Sequence, residues 1–151
     1  MKRDMDLIRK ILLYIEAETP VEKGGFYSID FDSMVATLGS TFELLNYQLI
    51  LLYEANLIDG AAYRGKGYPS GSDRLYENCS VISVSPRHMT WEGQEFLETV
   101  RDEEVWQNTK RAAKSVGSFG LDTLKELGKG FIKKKIKDHT GIDLDFGGGD
   151  A

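Results

Sequence analysis

The stretch from residue 40 to residue 58 constrains the fold most, because it encodes a capped helix that leads directly into an extended segment. Ser40 and Glu43 have the spacing of a capping box, in which each side chain satisfies a backbone N–H of the other residue and a helix begins. Apolar and aromatic side chains then cover nearly every face of this helix, which predicts burial in a core or against a second molecule. Asn56 can adopt the left-handed conformation that ends a helix, and a strand is expected from Ile58.

The chain before this stretch predicts a first helix over roughly Asp6 to Glu18, with apolar residues at helical spacing and an aspartate at its start to cap it. Pro20 ends this helix, because a proline disfavours the helical conformation in the residue before it. The residues from Phe26 to Phe31 alternate in the manner of a short strand, and one or two helical turns are then expected to end at Gly39.

The chain after it contains two strands, Ile58 to Tyr63 and Val81 to Val84, which flank a loop rich in glycine, serine and tyrosine from Arg64 to Ser80. Two strands joined by a long loop make a wing. Thr90 is expected to cap a third major helix, whose apolar face continues past a charged patch as far as Thr109.

This order of elements predicts an α+β fold, mainly α, of the winged helix-turn-helix class with a two-stranded wing. We expect the winged-helix domain to span residues 1–114 and a linker to span residues 115–120. A basic amphipathic helix is predicted over residues 121–138, and residues 139–151 are expected to form a disordered tail. A chain of 151 residues is long enough for one core of ordinary size with such an appendage.

The sequence argues against several classes of protein. No apolar run approaches the roughly 20 residues that span a bilayer, and the N-terminus lacks the pattern of a secretion signal, so a cytoplasmic location is expected. Cys79 is the one cysteine, which rules out an internal disulfide and a cysteine-rich zinc site. His88 and His139 have no partner at metal-ligand spacing, and the glycines after Arg64 lack the ending of a phosphate loop. We therefore predict a non-enzymatic protein without a cofactor, a metal site or a small-molecule substrate.

The net charge of −5 is unevenly distributed along the chain. Residues 1–110 contain 11 Lys and Arg against 18 Asp and Glu, a net charge of −7, whereas residues 111–151 contain 8 against 6, a net charge of +2. Affinity for nucleic acid rests largely on neutralising phosphates. An acidic body therefore argues against tight DNA binding unless its few basic residues lie on one face.

Two parts of the sequence carry a resemblance to known proteins. Residues 47–58, YQLILLYEANLI, look like the run in which a winged helix closes on Leu-Leu-x-Glu-Ala-Gly-Leu-Ile. The opening MKRDMDLIRKILL, together with MTWEGQEFL at Met89–Leu97 and with Trp106, resembles a family of small proteins, often encoded by phages or prophages, that is classed as domain of unknown function 2513. The resemblance spans nearly the whole chain. It implies a winged-helix fold and a phage or mobile-element origin, and it brings no settled activity with it.

Two positions depart from the pattern of that family. Gln48 stands where the family usually has histidine, and Asn56 stands where it has glycine. Neither change alters the expected fold, because glutamine is a good helix residue and asparagine tolerates a left-handed helix terminator.

Nucleic-acid binding is the usual expectation for a winged helix, whose second helix enters the major groove while the wing meets the DNA backbone. The helix from Thr41 to Asn56 contains no Lys or Arg, so Thr41, Asn46 and Gln48 are its possible base readers. Basic and aromatic residues occur together in the wing, where they can contact phosphates and sugars, although a solvated loop has the same composition. The candidate DNA contacts in the wing are Arg64, Lys66 and Arg74.

The predicted C-terminal helix combines a lysine-rich face with an apolar stripe. From Leu121 to Lys137 it has six lysines against two acidic residues, a net charge of +4. Such a helix binds nucleic acid, lies on an anionic membrane, or packs its stripe on the domain or on a second copy, and packing is the simplest of these. Gly128 and Gly130 each weaken an isolated helix by roughly 1 kcal/mol, which favours close packing. The candidate DNA contacts are Lys129, Lys133 and Lys134, and the candidate partner contacts are Leu121, Leu124, Leu127, Phe131 and Ile132.

The leading hypothesis from the sequence is a regulatory protein that contacts double-stranded DNA through the wing and the basic tail. The alternative is a protein-interaction module that has lost DNA binding and uses its apolar helix surfaces to dimerise or to engage a host protein. A membrane surface ranks third among the partners.

Overall fold

The computed structural model describes residues 1–19, 28–65 and 81–143. Within these ranges the fold is mainly helical α+β, with six helices and a two-stranded antiparallel sheet, an arrangement consistent with a winged helix-turn-helix layout. The elements are α1 (Met5–Glu18), α2 (Phe31–Leu38), α3 (Phe42–Glu54), β1 (Ile58–Arg64), β2 (Val81–Met89), α4 (Trp91–Val100), α5 (Glu103–Val116) and α6 (Leu121–Thr140). The chain divides into two compact units, Met1–Gln94 and Glu95–Ala151.

Helix α1 places its apolar stripe in the core of the first unit, as its periodicity predicts. The Asp4 side chain caps the helix by accepting a hydrogen bond from the Leu7 N–H at 3.0 Å. Apolar side chains of α3 are buried in the same unit, and α1 packs against both α3 and β2. The buried residues of α1 are Met5, Leu7, Ile8, Ile11, Leu12 and Ile15, and the buried apolar residues of α3 are Leu45, Leu49 and Leu52.

The strand predicted at Phe26–Phe31 is wrong in the part that the structure describes. Residues 28–30 form no strand, and Phe31 is already the first residue of α2. Asp30 is the reason, because its carboxylate accepts a hydrogen bond from the Ser33 N–H at 3.1 Å and so starts a helix. Helix α2 ends where predicted, at Gly39, which has a φ of 60°.

The turn between α2 and α3 changes the direction of the chain by 108°, an angle typical of a helix-turn-helix pair. The capping box predicted for Ser40 and Glu43 is wrong, since the cap is Thr41, whose Oγ1 accepts from the Leu44 N–H at 3.3 Å. Thr41 has the extended backbone that an N-cap requires. At its other end α3 terminates as predicted, with Asn56 in the left-handed conformation at a φ of 57°.

Strands β1 and β2 pair over the whole of β1, with irregularities in register after Asp59 and after Tyr63. β2 continues to Met89, whereas the sequence pattern predicts its end at Val84. The additional residues include Pro86, which has no N–H to donate to a ladder. It lies at the first irregularity, where a proline is tolerated.

The helix predicted to run from Thr90 to Thr109 is divided into α4 and α5. Thr90 does cap α4, because its Oγ1 accepts from the Gly93 N–H at 3.1 Å. Helix α4 ends at Val100, and the Asp102 carboxylate then accepts from the Val105 N–H at 3.0 Å. An N-cap residue has non-helical backbone angles, so the chain starts a new helix at this point.

Helices α5 and α6 pack against each other in the second unit. Helix α5 continues to Val116, so residues 117–120 are what remains of the linker predicted at 115–120. Helix α6 continues to Thr140, two residues into the predicted tail at 139–151, of which residues 144–151 lie outside the described ranges. The sequence places the end of the winged-helix domain at residue 114, and in the structure α5 belongs to the compact unit that contains α6.

Candidate interaction surface

Gln48, a predicted base reader, is fully buried. Its Oε1 accepts a hydrogen bond from the Asp4 N–H at 3.0 Å, and its Nε2 donates to the Lys2 carbonyl at 3.1 Å. The side chain therefore fastens the N-terminal segment to α3. The prediction for Gln48 is wrong, because a side chain without exposed surface and with both polar atoms bonded has no access to a base edge.

Asn46, the second base reader predicted on this helix, also serves the fold. It is half-buried, and its Nδ2 donates to the Ile82 carbonyl at 2.8 Å, which joins α3 to the start of β2. Its Oδ1 is buried as well. Since Thr41 caps α3, all three polar side chains proposed to read bases have a structural role in this unit.

The surface formed by α2 and α3 carries only negative charge. From Ser28 to Tyr63 the sequence has five acidic residues and no Lys, Arg or His. Asp30, Asp32 and Glu43 are exposed at the first turns of the two helices. Hydrogen bonds from the Ser33 side chain and N–H lower the pKa of Asp30, so this carboxyl stays ionised. A DNA backbone would meet like charges along this surface.

Aromatic and apolar side chains lie beside these carboxylates. Phe42 is 53% exposed, and its ring packs on that of the half-buried Phe31 with 4.8 Å between the ring centroids. Asn46 follows Phe42 by one helical turn on the same side of α3, and it holds the backbone of Ile82, whose residue surface is 56% exposed. We call Phe31, Phe42 and Ile82 the apolar strip.

Sequence reasoning missed the apolar strip, although part of its signal was present. Phe42 directly follows a threonine that is competent to cap a helix, and a side chain in the first turn is less covered by its own helix than one in the middle. Ile82 carried no such signal, because its exposure depends on where the wing ends. The strip is visible only once β2 is placed beside α3.

The predicted DNA contacts of the wing are only partly within the described chain. Arg64 is the last residue of β1 and is exposed. Lys66 and Arg74 lie outside the described residues, as does the rest of the loop from 66 to 80. The shared role predicted for the three residues therefore stays a prediction.

A lysine occurs at every fourth position along much of α6, and this spacing places the lysines in one row on the helix surface. The row, which we call the lysine row, consists of Lys125, Lys129, Lys133 and Lys137. Two of its members make long ion pairs, Lys129 with Glu126 at 3.7 Å and Lys137 with Asp143 at 3.8 Å. No ion pair is formed by Lys125 or Lys133 within the described residues. Lys134, a further predicted DNA contact, is exposed outside this row.

The apolar stripe of α6 is used in part by the second unit itself. Leu124 is fully buried, so the prediction that it contacts a partner is wrong. Gly128 is also buried, and a Cβ added there would overlap the Thr99 carbonyl oxygen, whereas Gly130 faces open space. The other predicted partner contacts remain half-exposed. They are Leu121, Leu127, Phe131 and Ile132, and Ile136 has the same degree of exposure.

Lys135 joins α6 to the start of α5. Its Nζ lies 2.7 Å from Oδ2 of Asp102 and 3.3 Å from Oε2 of Glu104. The hydrogen bond from Lys135 lowers the pKa of Asp102 below its usual value of 3.8, and the same bond raises the pKa of Lys135 above 10.5. This lysine therefore stabilises the packing of the two helices.

Two further features of the described ranges concern metal ions and membranes. No group of three or more His, Cys, Asp and Glu side chains in these ranges is placed to hold a metal ion. The imidazole of His88 is near its own strand partner, with Nε2 3.4 Å from Oδ2 of Asp59. In the same ranges no single helix is long and apolar enough to cross a bilayer, and α2 with α3 meets that criterion only as a bent pair.

Comparison with known proteins places the chain in a family. It is 28% identical over 137 residues to an uncharacterized protein of Haemophilus influenzae, and this match covers 90% of the chain and 99% of the relative. No solved structure matches the chain. The family described as "Hypothetical protein (DUF2513)" matches residues 2–119, which contain α1 to α5 and end before α6. The resemblance found in the sequence is thus confirmed at the level of the family, and the chain belongs to the DUF2513 family of hypothetical proteins.

Proposed function

We propose that this protein is a protein-interaction module on a winged helix-turn-helix scaffold, in which the face of α2 and α3 binds a protein instead of DNA. One observation carries the proposal. The exposed apolar strip lies on a surface whose carboxylates have no basic residue among them from Ser28 to Tyr63. The proposal keeps the regulatory role of the leading hypothesis from the sequence. It also keeps the phage or mobile-element origin that the family resemblance implies.

The chemistry of this face supports a protein ligand. In DNA-binding helix-turn-helix domains the first residues of the second helix contact base edges, and basic side chains around them contact phosphates. Here those first residues are Phe42 and Glu43, an aromatic ring and a carboxylate. Exposed aromatic side chains are typical of the centre of protein interfaces, and a polar rim is typical of their edge.

Photo-crosslinking tests the proposal. A photoreactive phenylalanine analogue in place of Phe42 should form covalent adducts with protein when cells that express the chain are irradiated. The matched control is the same replacement at Trp91, which is 77% exposed at the start of α4, outside the helix pair. Adducts at both positions alike, adducts with DNA at position 42, or none at position 42 would contradict the proposal.

DNA contact through the wing and the tail is the second candidate function, and the lysine row favours it. This function predicts duplex binding that weakens steeply as salt rises, because bound lysines and arginines release counterions from DNA. Fluorescence anisotropy with labelled duplex measures the salt dependence. Alanine at Arg64, Lys66 and Arg74, or at Lys129, Lys133 and Lys134, should weaken binding for every sequence tested. Absence of duplex binding in dilute buffer removes this candidate.

A further inference from the structure

We infer that the apolar strip and its carboxylates bind α6 of a second copy of this chain. The inference rests on the proposed function and names its partner. It depends on two surfaces of the same protein whose charges and apolar residues are complementary.

The receiving surface has carboxylates that no cation among the described residues pairs with. Asp32 and Glu43 are exposed in the first turns of α2 and α3, beside the Phe31–Phe42 ring pair. Within the described residues neither carboxylate forms an ion pair. Exposed rings beside acidic side chains suit a partner that brings both an apolar row and cations.

Helix α6 has this combination. The row beside the lysine row contains Leu124, Gly128, Ile132 and Ile136. Leu124 and Gly128 are buried within the second unit, whereas Ile132 and Ile136 are half-exposed. The part of the row near the end of α6 is therefore not fully covered by its own unit. Ile132 and Ile136 are adjacent to Lys133, which has no ion pair among the described residues. An amphipathic helix of this kind docks through residues spaced three and four apart.

Charge decides how two copies meet. If the acidic face of one copy met the same face of another, the carboxylates would oppose each other, which is unfavourable. A contact between different surfaces, α6 of one copy on α2 and α3 of the next, pairs opposite charges. Such a contact closes when two copies exchange their helices reciprocally, and otherwise continues as a chain of copies.

Light scattering coupled to size-exclusion chromatography tests the inference on the full-length protein. At low ionic strength we expect the wild type to have at least twice the mass of one chain, and a lower mass at high ionic strength, since salt screens exposed charges. The acidic-face variant Asp32→Lys with Glu43→Lys should be monomeric. The lysine-row variant Lys125→Glu with Lys133→Glu should also be monomeric.

Combining the variants makes the test specific. An equimolar mixture of the two, or one chain with all four changes, should associate again, because each lost contact then has a partner of opposite charge. A variant that merely unfolds gives no such recovery. The control for charge is Lys10→Glu with Lys114→Glu, which reverses two lysines that are exposed on α1 and α5, and it should keep the wild-type mass.

A monomeric wild type at low ionic strength, or association that both variants leave unchanged, overturns the inference. So does a mixture that remains monomeric. The photo-crosslinking experiment separates this failure from that of the proposed function, because adducts between position 42 and a different protein would leave the proposed function standing.

Discussion

Gln48 shows how much of this fold depends on one side chain. Its two hydrogen bonds satisfy a backbone N–H and a backbone carbonyl of the N-terminal segment in a fully buried position. Replacement by leucine, which has a similar volume, removes both bonds. We expect Gln48→Leu to lower the free energy of unfolding by about 1–3 kcal/mol, the usual net contribution of two hydrogen bonds.

Urea denaturation followed by circular dichroism measures this loss. Gln94→Leu is the matched control, because Gln94 is exposed on α4. Its effect should stay within about 0.5 kcal/mol, as is usual for surface substitutions. Equal effects of the two replacements would show that the hydrogen bonds of Gln48 contribute nothing particular to stability.

The sequence indicated the chemistry of these residues and not their direction. A glutamine and an asparagine on the second helix of a winged helix have the right groups to read adenine, which is why Gln48 and Asn46 were predicted to do so. Their actual partners are backbone atoms 46, 44 and 36 residues away. On a helix that is apolar on nearly every side, periodicity does not tell which polar residue faces another segment.

Within α6, two glycines separated by one residue are predicted to respond oppositely to alanine. Gly128→Ala should destabilise the second unit by about 1–3 kcal/mol, because the new Cβ overlaps the Thr99 carbonyl and the packing has to shift. Gly130→Ala should stabilise it by about 0.5–1 kcal/mol, since the position is open and alanine is the better helix residue. Thermal unfolding of the two variants side by side measures this difference, and a change of the same sign in both would contradict the packing described for α6.

The ion pair between α5 and α6 predicts a dependence of stability on pH. Asp102 has a folded-state pKa below 3.8, so its contribution is present above that pH and is lost as the pH falls through the lowered value. The melting temperature of the wild type should therefore exceed that of Asp102→Asn at neutral pH, and the difference should shrink under strongly acidic conditions. The effect is expected to be modest and sensitive to salt, because the pair is partly exposed.

Lys135→Met gives the complementary result at alkaline pH. Its folded-state pKa lies above 10.5, so the stabilisation is present below 10.5 and is lost as the pH rises through the raised value. A difference in melting temperature that does not depend on pH in either variant would show that the pair contributes through packing alone.

Most helices and strands followed from hydrophobic periodicity and turn residues, and the errors arose where several residues competed for one role. Ser40 and Thr41 both carry a hydroxyl that can cap α3, and the backbone conformation selects Thr41. Asp102 stands within a run of charged residues that is equally compatible with a continuous helix, and its use as a cap is what separates α4 from α5. Asp30 changed a predicted strand into a helix start in the same way.

At the scale of the whole chain, two compact units contain one tryptophan each, which provides separate reporters. Trp106 is 1% exposed on α5 in the second unit, and Trp91 is 77% exposed in the first. Because α6 packs on α5, a chain that ends at Gly117 should expose part of the α5 surface and shift the emission of Trp106 to longer wavelength. The shift should be seen in a Trp91→Phe background and be absent from a Trp106→Phe background.

The division into units is a property that periodicity does not predict. The sequence indicated an acidic body and a basic helix, and both are present. It did not indicate that α5 packs with α6. The apolar face of α5 is equally compatible with packing on the preceding helices or on the following helix, and the sequence pattern does not choose between them. The surface proposed to bind a protein could not be predicted from the sequence either, since it is assembled from α2, α3 and β2.

The fastening of the N-terminal segment by Gln48 also has a consequence for biosynthesis. Lys2 and Asp4 leave the ribosome 46 and 44 residues before the side chain that binds them. The segment before α1 and the buried stripe of α1 therefore remain without their α3 partner until that helix has been translated. During this interval the nascent chain exposes an apolar helix, which is the kind of surface that chaperones bind and that aggregates when left uncovered.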